Sequence, residues 1–214
     1  MASPVHPDPR RDARRAASRP QTHHGRTPDD DPRDSAVPVD PDPALPQEGR
    51  SCSDTRDQAV QHALIGHCLD LAAQAAARGD VPVGAVVVDP DGQIIGQGHN
   101  TREADADPAG HAELIALREA ARRRGTWRLE DCTLAVTLEP CPMCAGAIVL
   151  ARIRRVIFGA WDEKAGGAGS VFDILREPRL NHWVEVHPGV RAEECSAQLS
   201  GFFATRLREG GTAS

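Results

Sequence analysis

The sequence predicts an α/β fold of three αβα layers, a five-stranded mixed sheet flanked by helices, on three observations. Segments of helical spacing alternate with short apolar runs along residues 54–210, the pattern of a mostly parallel sheet between helices. Two runs, Ala85–Val88 and Val156–Phe158, are apolar without interruption, as expected of strands covered on both faces. The turn "PDG" at 90–92 separates two strand-like runs and marks a β-hairpin.

The folded part is expected to begin at "TRDQ", where Thr55 and Gln58 fit a capping box. Val60, Leu64, Cys68, Leu71 and Ala75 follow at helical spacing, and Gly79 is a plausible stop. "VGAVVVD", the bend Pro90–Asp91–Gly92 and "QIIGQGHN" make the hairpin. "PAGHAELIALREAARRRG" reads as a helix capped by Asp107, with Pro108 in its first turn and Gly125 closing it. "CTLAVTLE" reads as a strand, "PMCAGAIVLAR" as a helix and "RRVIFGA" as a strand. "SVFDILRE" is expected as a short helix, "WVEVH" as a strand, and residues 191–208 as a last helix.

Composition narrows the function. Aromatic residues are 3% and tyrosine is absent, so alanine and aliphatic side chains must build the core. A net charge of -6 argues against a protein that coats nucleic acid by long-range attraction, while leaving room for a local basic patch. Ten of the 17 prolines precede residue 50, with arginine-rich and then aspartate-rich stretches. Residues 1–53 are therefore expected to be a disordered extension, 54–210 the folded domain and 211–214 a tail. The six cysteines are scattered, and no run suits a signal peptide or a membrane span, so a cytoplasmic location is expected.

Chemistry concentrates in "LEPCPMCAGA". Cys141 and Cys144 stand three apart, a spacing open to a redox pair, a structural metal knuckle or half of a catalytic metal site. Thirty residues earlier "HAE" also opens a predicted helix. His111, Cys141 and Cys144 together supply three ligands, and a catalytic zinc site is three protein ligands with one position left for water. Helix starts favour negative charge, which suits thiolates. Glu113, two residues from His111, is then the candidate proton carrier. Cys68, Cys132 and Cys195 read as core and Cys52 as part of the extension. His62, His67, His182 and His187 have no ligand-like neighbours in the sequence.

The pairing H-x-E…P-C-x-x-C is the signature of zinc nucleobase deaminases. Residues from about 55 to 208 resemble the bacterial tRNA-specific adenosine deaminases, through "VPVGAVVV", "GQGHNTRE", "DPAGHAELIALR", "TLAVTLEPCPMCAGAIVLARIRRVIFGA", "DEKAGGAGS" and "LSGFFATRLRE". The resemblance implies a cytidine-deaminase-like fold and one zinc per subunit, held by His111, Cys141 and Cys144, with Glu113 as proton shuttle. It further implies that Asn100 hydrogen-bonds the target nucleoside, that Val83, Leu138 and Ala112 border the base, and that a homodimer acts on a tRNA anticodon stem-loop. The implied reaction converts the wobble adenosine of an arginine tRNA to inosine. Three features depart from that family: Ala109-Gly110 precedes the histidine where Thr-Ala is usual, Gly201 stands where some members carry an acidic residue near the RNA, and the N-terminal extension has no counterpart.

Arg152, Arg154, Arg155 and Lys164, with Arg206 and Arg208, are candidate phosphate contacts, and a solvated face is the plain alternative. Two rival functions remain at this stage. One is a free-base or nucleoside deaminase of the guanine or cytosine type. The other is a non-enzymatic zinc or redox module, which would have a fourth protein ligand or a reducible disulfide.

Overall fold

Small residues decide how the layers meet. The computed structural model describes residues 52–210, all within a unit spanning Glu48–Ser214. The elements are α1 (Cys52–Ala77), β1 (Gly84–Val88), β2 (Ile94–His99), α2 (Ala112–Arg124), β3 (Thr133–Leu138), α3 (Pro142–Leu150), β4 (Arg155–Ala160), β5 (Glu185–His187) and α4 (Ala192–Gly210). The strands form one sheet in the order β2-β1-β3-β4-β5. β1 runs antiparallel to β2 and β3, whereas β3, β4 and β5 are parallel. The sheet is thus mixed, and the alternation of elements overstated its parallel share, because β1 enters against the direction of β3.

Successive side chains of a strand point to opposite faces. Val86, Ala135 and Ile157 join Ile65, Cys68, Leu71 and Cys195, so one face packs on α1 and α4. Ala85, Val87, Leu134, Val136, Val156 and Phe158 join Ala112, Ala116, Ala120, Ala145 and Ile148, so the other face packs on α2 and α3. All five residues of β1 are buried, as its unbroken apolar run predicts.

α2 lies directly on β2. Gly96 and Gly98 share a strand face, and Ala112, Ala116 and Ala120 form a stripe at four-residue spacing. A Cβ on Gly96 would sit 2.2 Å from the Ala116 carbonyl, and one on Gly98 2.5 Å from that of Ala112. This contact of small residues fixes the start of α2, and so the position of His111, relative to the end of β2.

The predicted hairpin bend is present: Gly92 has φ 78°, and Asp89 Oδ1 accepts the N–H groups of Asp91 and Gln93 at 3.1 and 2.9 Å. Gly125 closes α2 in the left-handed region with φ 67°. Cys68, Cys132 and Cys195 are buried, as expected of core residues.

Four expectations need correction. α1 already runs from Cys52, which puts Thr55 and Cys52 inside a helix and not at a cap or in the extension. α2 starts at Ala112 and not at Pro108, because Asp107 closes a turn instead: Asp107 Oδ1 accepts the Ala109 N–H at 2.9 Å and its carbonyl accepts that of Gly110 at 3.0 Å. "SVFDILRE" forms turns and a single bridge, Ala168 with Asp173, and no helix. Its main-chain N–H groups are drawn elsewhere: Ser170 donates to Glu139, Phe172 to the Gly166 carbonyl and Ile174 to that of Gly167. The last strand is three residues long, Glu185–His187. The disorder expected of residues 1–53 falls almost wholly outside the described residues.

Candidate active site

β3 and β4 end, β2 ends and β1 begins at one edge of the sheet, and α2 and α3 both start there. His111 occupies the N-cap of α2 and Cys141 the N-cap of α3, with Pro142 in the first turn of α3. Neither side chain makes a capping hydrogen bond to its helix. His111 Nδ1 lies 3.6 Å from Cys141 Sγ and 3.5 Å from Cys144 Sγ. The three ligand atoms lie within 4.8 Å of one another, the one such group among the described residues.

These distances fit zinc. With Zn–S of about 2.3 Å and Zn–N of about 2.0–2.1 Å, tetrahedral ligands stand roughly 3.5–3.8 Å apart. Two soft sulfurs and an imidazole are the ligand chemistry zinc takes. The site has no fourth cysteine or histidine, and the alternative of a closed structural site therefore loses its support among the described residues.

The electrostatics are those of a strongly coupled cluster. Cys141 is pulled down to about 4 by the hydrogen bond from Cys144 and by His111, while the same bond and burial push Cys144 up. Contact with Cys141 raises His111. Glu113 is only 3% exposed, and burial raises its carboxyl above the usual range.

His111, Glu113 and Cys141 open onto a cavity of about 220 Å³ also lined by Val81, Val83, Asn100, Arg102, Leu138, Glu139, Asp162 and Ala165. The structure thus gathers the predicted His111, Glu113, Cys141, Asn100, Val83 and Leu138 on one pocket, with Cys144 behind Cys141. Asn100 is buried, and its Oδ1 accepts the Ala112 N–H at 3.0 Å. Ala112 is fully buried and meets the site through that main-chain group. An N–H can only donate, so the amide oxygen must face it. The Asn100 NH2 is left as the donor available to a ligand.

The candidate phosphate contacts do not form one patch. Arg155 pairs with Glu185 at 3.0 Å and Asp57 at 3.3 Å at the start of β4, the far end of that strand from the site. Arg154 lines a different hollow with Asp57, Asp89 and Asp131. Arg152 Nη1 donates to the Asn181 side chain at 2.6 Å. Arg206 donates to the Gly79 carbonyl and covers the Phe202 ring at 4.9 Å. Lys164 alone of these borders the site, in a groove of about 610 Å³ with Trp161, Asp162 and Phe203 that shares Val81, Leu138 and Asp162 with the pocket.

Sequence reasoning gave no role to Arg102, Glu139 or Asp162. Arg102 and Asp162 each follow a strand end that carries an assigned or neighbouring site residue, which is a usable signal. Glu139 had a stronger one, since it abuts the Pro-Cys pair.

Residues 58–160 match the family described as the cytidine and deoxycytidylate deaminase zinc-binding region. The chain is 52% identical over 132 residues to a tRNA-specific adenosine deaminase of Bacillus subtilis, covering 62% of this chain and 81% of that protein. It is 50% identical over 146 residues to the tRNA-specific adenosine deaminase of Haemophilus influenzae, covering 68% and 84%. Among solved structures it resembles one from a study of A-to-I editing by tRNA:A34 deaminases at the wobble position, with TM-score 0.61 and 38% identity over 64% of this chain and 98% of that one.

Proposed function

Since the chain belongs to the tRNA-specific adenosine deaminases, within the zinc-binding cytidine and deoxycytidylate deaminase family, we propose that this enzyme converts the wobble adenosine of an arginine tRNA to inosine. Adenosine and water give inosine and ammonia. The observation that carries the reading is the buried Glu113 beside three clustered zinc ligands, on a pocket that the Asn100 amide also lines.

His111 Nδ1, Cys141 Sγ and Cys144 Sγ would hold the zinc. Bound there, zinc supplies a Lewis acid that lowers the pKa of water from 15.7 to about 7. Glu113 would take one proton from the attacking water and deliver it to the ring nitrogen beside C6 as the water oxygen bonds to C6, then carry the proton left on that oxygen to the departing amine, so that the C6–N bond breaks as the carbonyl forms. Its buried position suits it to hold a proton between those transfers. The Asn100 NH2 orients the nucleoside, while Val83 and Leu138 flank the base. A cavity of about 220 Å³ suits one extruded base, which is how enzymes of this chemistry reach their target. Loops of RNA offer such bases without unpairing, consistent with the modest charge of the chain.

Lys164, in the adjoining groove, and Arg102, which lines the pocket, are the cations we assign to phosphates near the base. The apolar hollow of about 440 Å³ on α2 and α3, with Trp127 57% and Leu150 71% exposed, supports a homodimer through that face. The catalytic domain is taken to begin with α1, two residues before the expected 54, and to run to 210, with the residues before α1 an extension and 211–214 a tail. No described helix is long and apolar enough to cross a membrane, and we place the enzyme with its tRNA in the cytoplasm.

The purified protein should release inosine and ammonia from an anticodon stem-loop containing ACG, and not from free adenosine, guanine or cytidine. Turnover of a free base with none on the stem-loop would overturn the substrate assignment.

A further inference from the structure

We propose that Glu139 is a positioning residue of the deamination reaction, whose buried carboxylate gathers three main-chain N–H groups of the 162–170 loop and thereby sets one wall of the base pocket. The proposal rests on the deaminase reading of the site and not on which base is deaminated.

Glu139 is 2% exposed and ranks among the largest fully buried side chains. A carboxylate taken out of water needs compensation. No arginine, lysine or histidine pairs with it among the described residues; peptide groups do the work instead. Oε1 accepts the N–H of Ala168 at 2.9 Å and of Ser170 at 3.1 Å, and Oε2 accepts that of Asp162 at 3.0 Å. The donors come from both ends of one loop, so the carboxylate closes it like a clasp.

The same loop is seated against the segment that carries Cys141. The Gly167 N–H donates to the Pro140 carbonyl at 2.7 Å. A Cβ on Gly166 would fall 2.2 Å from Glu139 Oε2, and one on Gly167 3.1 Å from the Cys141 carbonyl carbon. The glycine pair lets the loop lie directly on the start of α3. Asp162 and Ala165 of this loop line the pocket together with Val83 and Asn100. Glu139 itself belongs to the chain between Leu138, which borders the pocket, and Cys141. One side chain therefore ties the pocket wall to the ligand-bearing turn.

Glutamine at this position keeps the shape and loses the chemistry. Its NH2 group must face at least one of the three N–H donors, which sets donor against donor and leaves a buried N–H unpaired. The wall then loosens. A wall touches bound substrate and transition state alike, so its loss raises KM and spares kcat. A residue needed only for folding would instead lower the active fraction, dropping apparent kcat at unchanged KM.

The experiment compares wild type, Glu139→Gln and Gly166→Ala as zinc-loaded full chains. Gly166→Ala displaces the loop while leaving the carboxylate intact, so the proposal survives testing even if Glu139→Gln folds poorly. Steady-state kinetics are read on whichever substrate the wild type turns over, stem-loop or free base, which separates this proposal from the choice of substrate. Amide hydrogen exchange is followed at Asp162, Ala168 and Ser170. Both variants should bind one zinc per chain, raise KM about 10-fold with kcat within about 3-fold, and exchange those amides at least about 10-fold faster. Wild-type KM in both variants, or loop amides that exchange as in the wild type, would overturn the proposal, as would loss of kcat alone.

Discussion

The Asn100 amide oxygen accepts the main-chain N–H of Ala112 at 3.0 Å. One bond therefore satisfies a first-turn donor of α2, for which the N-cap His111 offers no side-chain acceptor, and orients the Asn100 NH2 toward the pocket. Asn100→Asp keeps the acceptor and removes the donor. Thermal stability should stay close to wild type while kcat/KM falls at least about 10-fold, a lost hydrogen bond to the ligand. Asn100→Ala removes both and should also cost about 1 kcal/mol of stability, as loss of a helix cap does. Equal activity of Asn100→Asp and wild type would remove Asn100 from the site.

Glu113 and His111 separate in their dependence on metal. Glu113→Ala should keep one zinc per chain by elemental analysis and lose about 10²–10⁴-fold in kcat. His111→Ala should lose zinc as well, and exhaustive chelation of the wild type should reproduce its inactivity until zinc is returned. A metal-free preparation with full activity contradicts the whole site.

Alkaline pH should weaken the fold through buried thiols. Burial pushes Cys195 from the ordinary 9.0 up to about 11 and Cys132 up to about 12. Above pH 9 the unfolded chain releases these protons while the native chain keeps them, so the unfolded state binds fewer and stability falls as pH rises. The loss for Cys195 accrues between about pH 9 and about 11. Melting temperature measured across that window should drop less steeply for Cys195→Ala than for wild type.

Close approach of α2 to β2 makes Gly96 intolerant of a methyl group. The 2.2 Å that a Cβ would leave to the Ala116 carbonyl is filled by main chain, which cannot rotate away. Gly96→Ala should destabilise by about 1–3 kcal/mol in urea titration, the range of overpacking. Because α2 carries His111, zinc affinity should fall with it.

The apolar face of α2 and α3 gives a separate test. Leu150 is 71% exposed beside Trp127, Met143 and Leu114. Leu150→Glu should sediment as a monomer at concentrations where the wild type is a dimer. A monomeric wild type would refute the dimer.

Much of this was legible because the signals are local. His111, Glu113, Cys141 and Cys144 lie next to helix starts, so short-range rules place them within a turn of their true positions. The hairpin bend is written in Pro90, Asp91 and Gly92. The start of α2 was misjudged because Asp107, Pro108 and Gly110 satisfy a helix signature and a turn equally well; the Thr101 N–H settles it by donating to the Gly110 carbonyl at 2.9 Å. The segment 170–177 has helical composition, yet Glu139, about thirty positions earlier, takes its first N–H. The arginines around 152–155 looked contiguous, but Arg155 opens a strand whose other end is the site.

The residues alone narrowed the chemistry to a metal or redox centre, since two thiols three apart, an imidazole and a carboxylate at those spacings permit few others. Tertiary structure decided which groups share a pocket, how the Asn100 amide is turned, and that Glu139 closes the facing loop. Those outcomes depend on contacts across the sheet between residues far apart in the chain, where no local pattern of side chains carries the information.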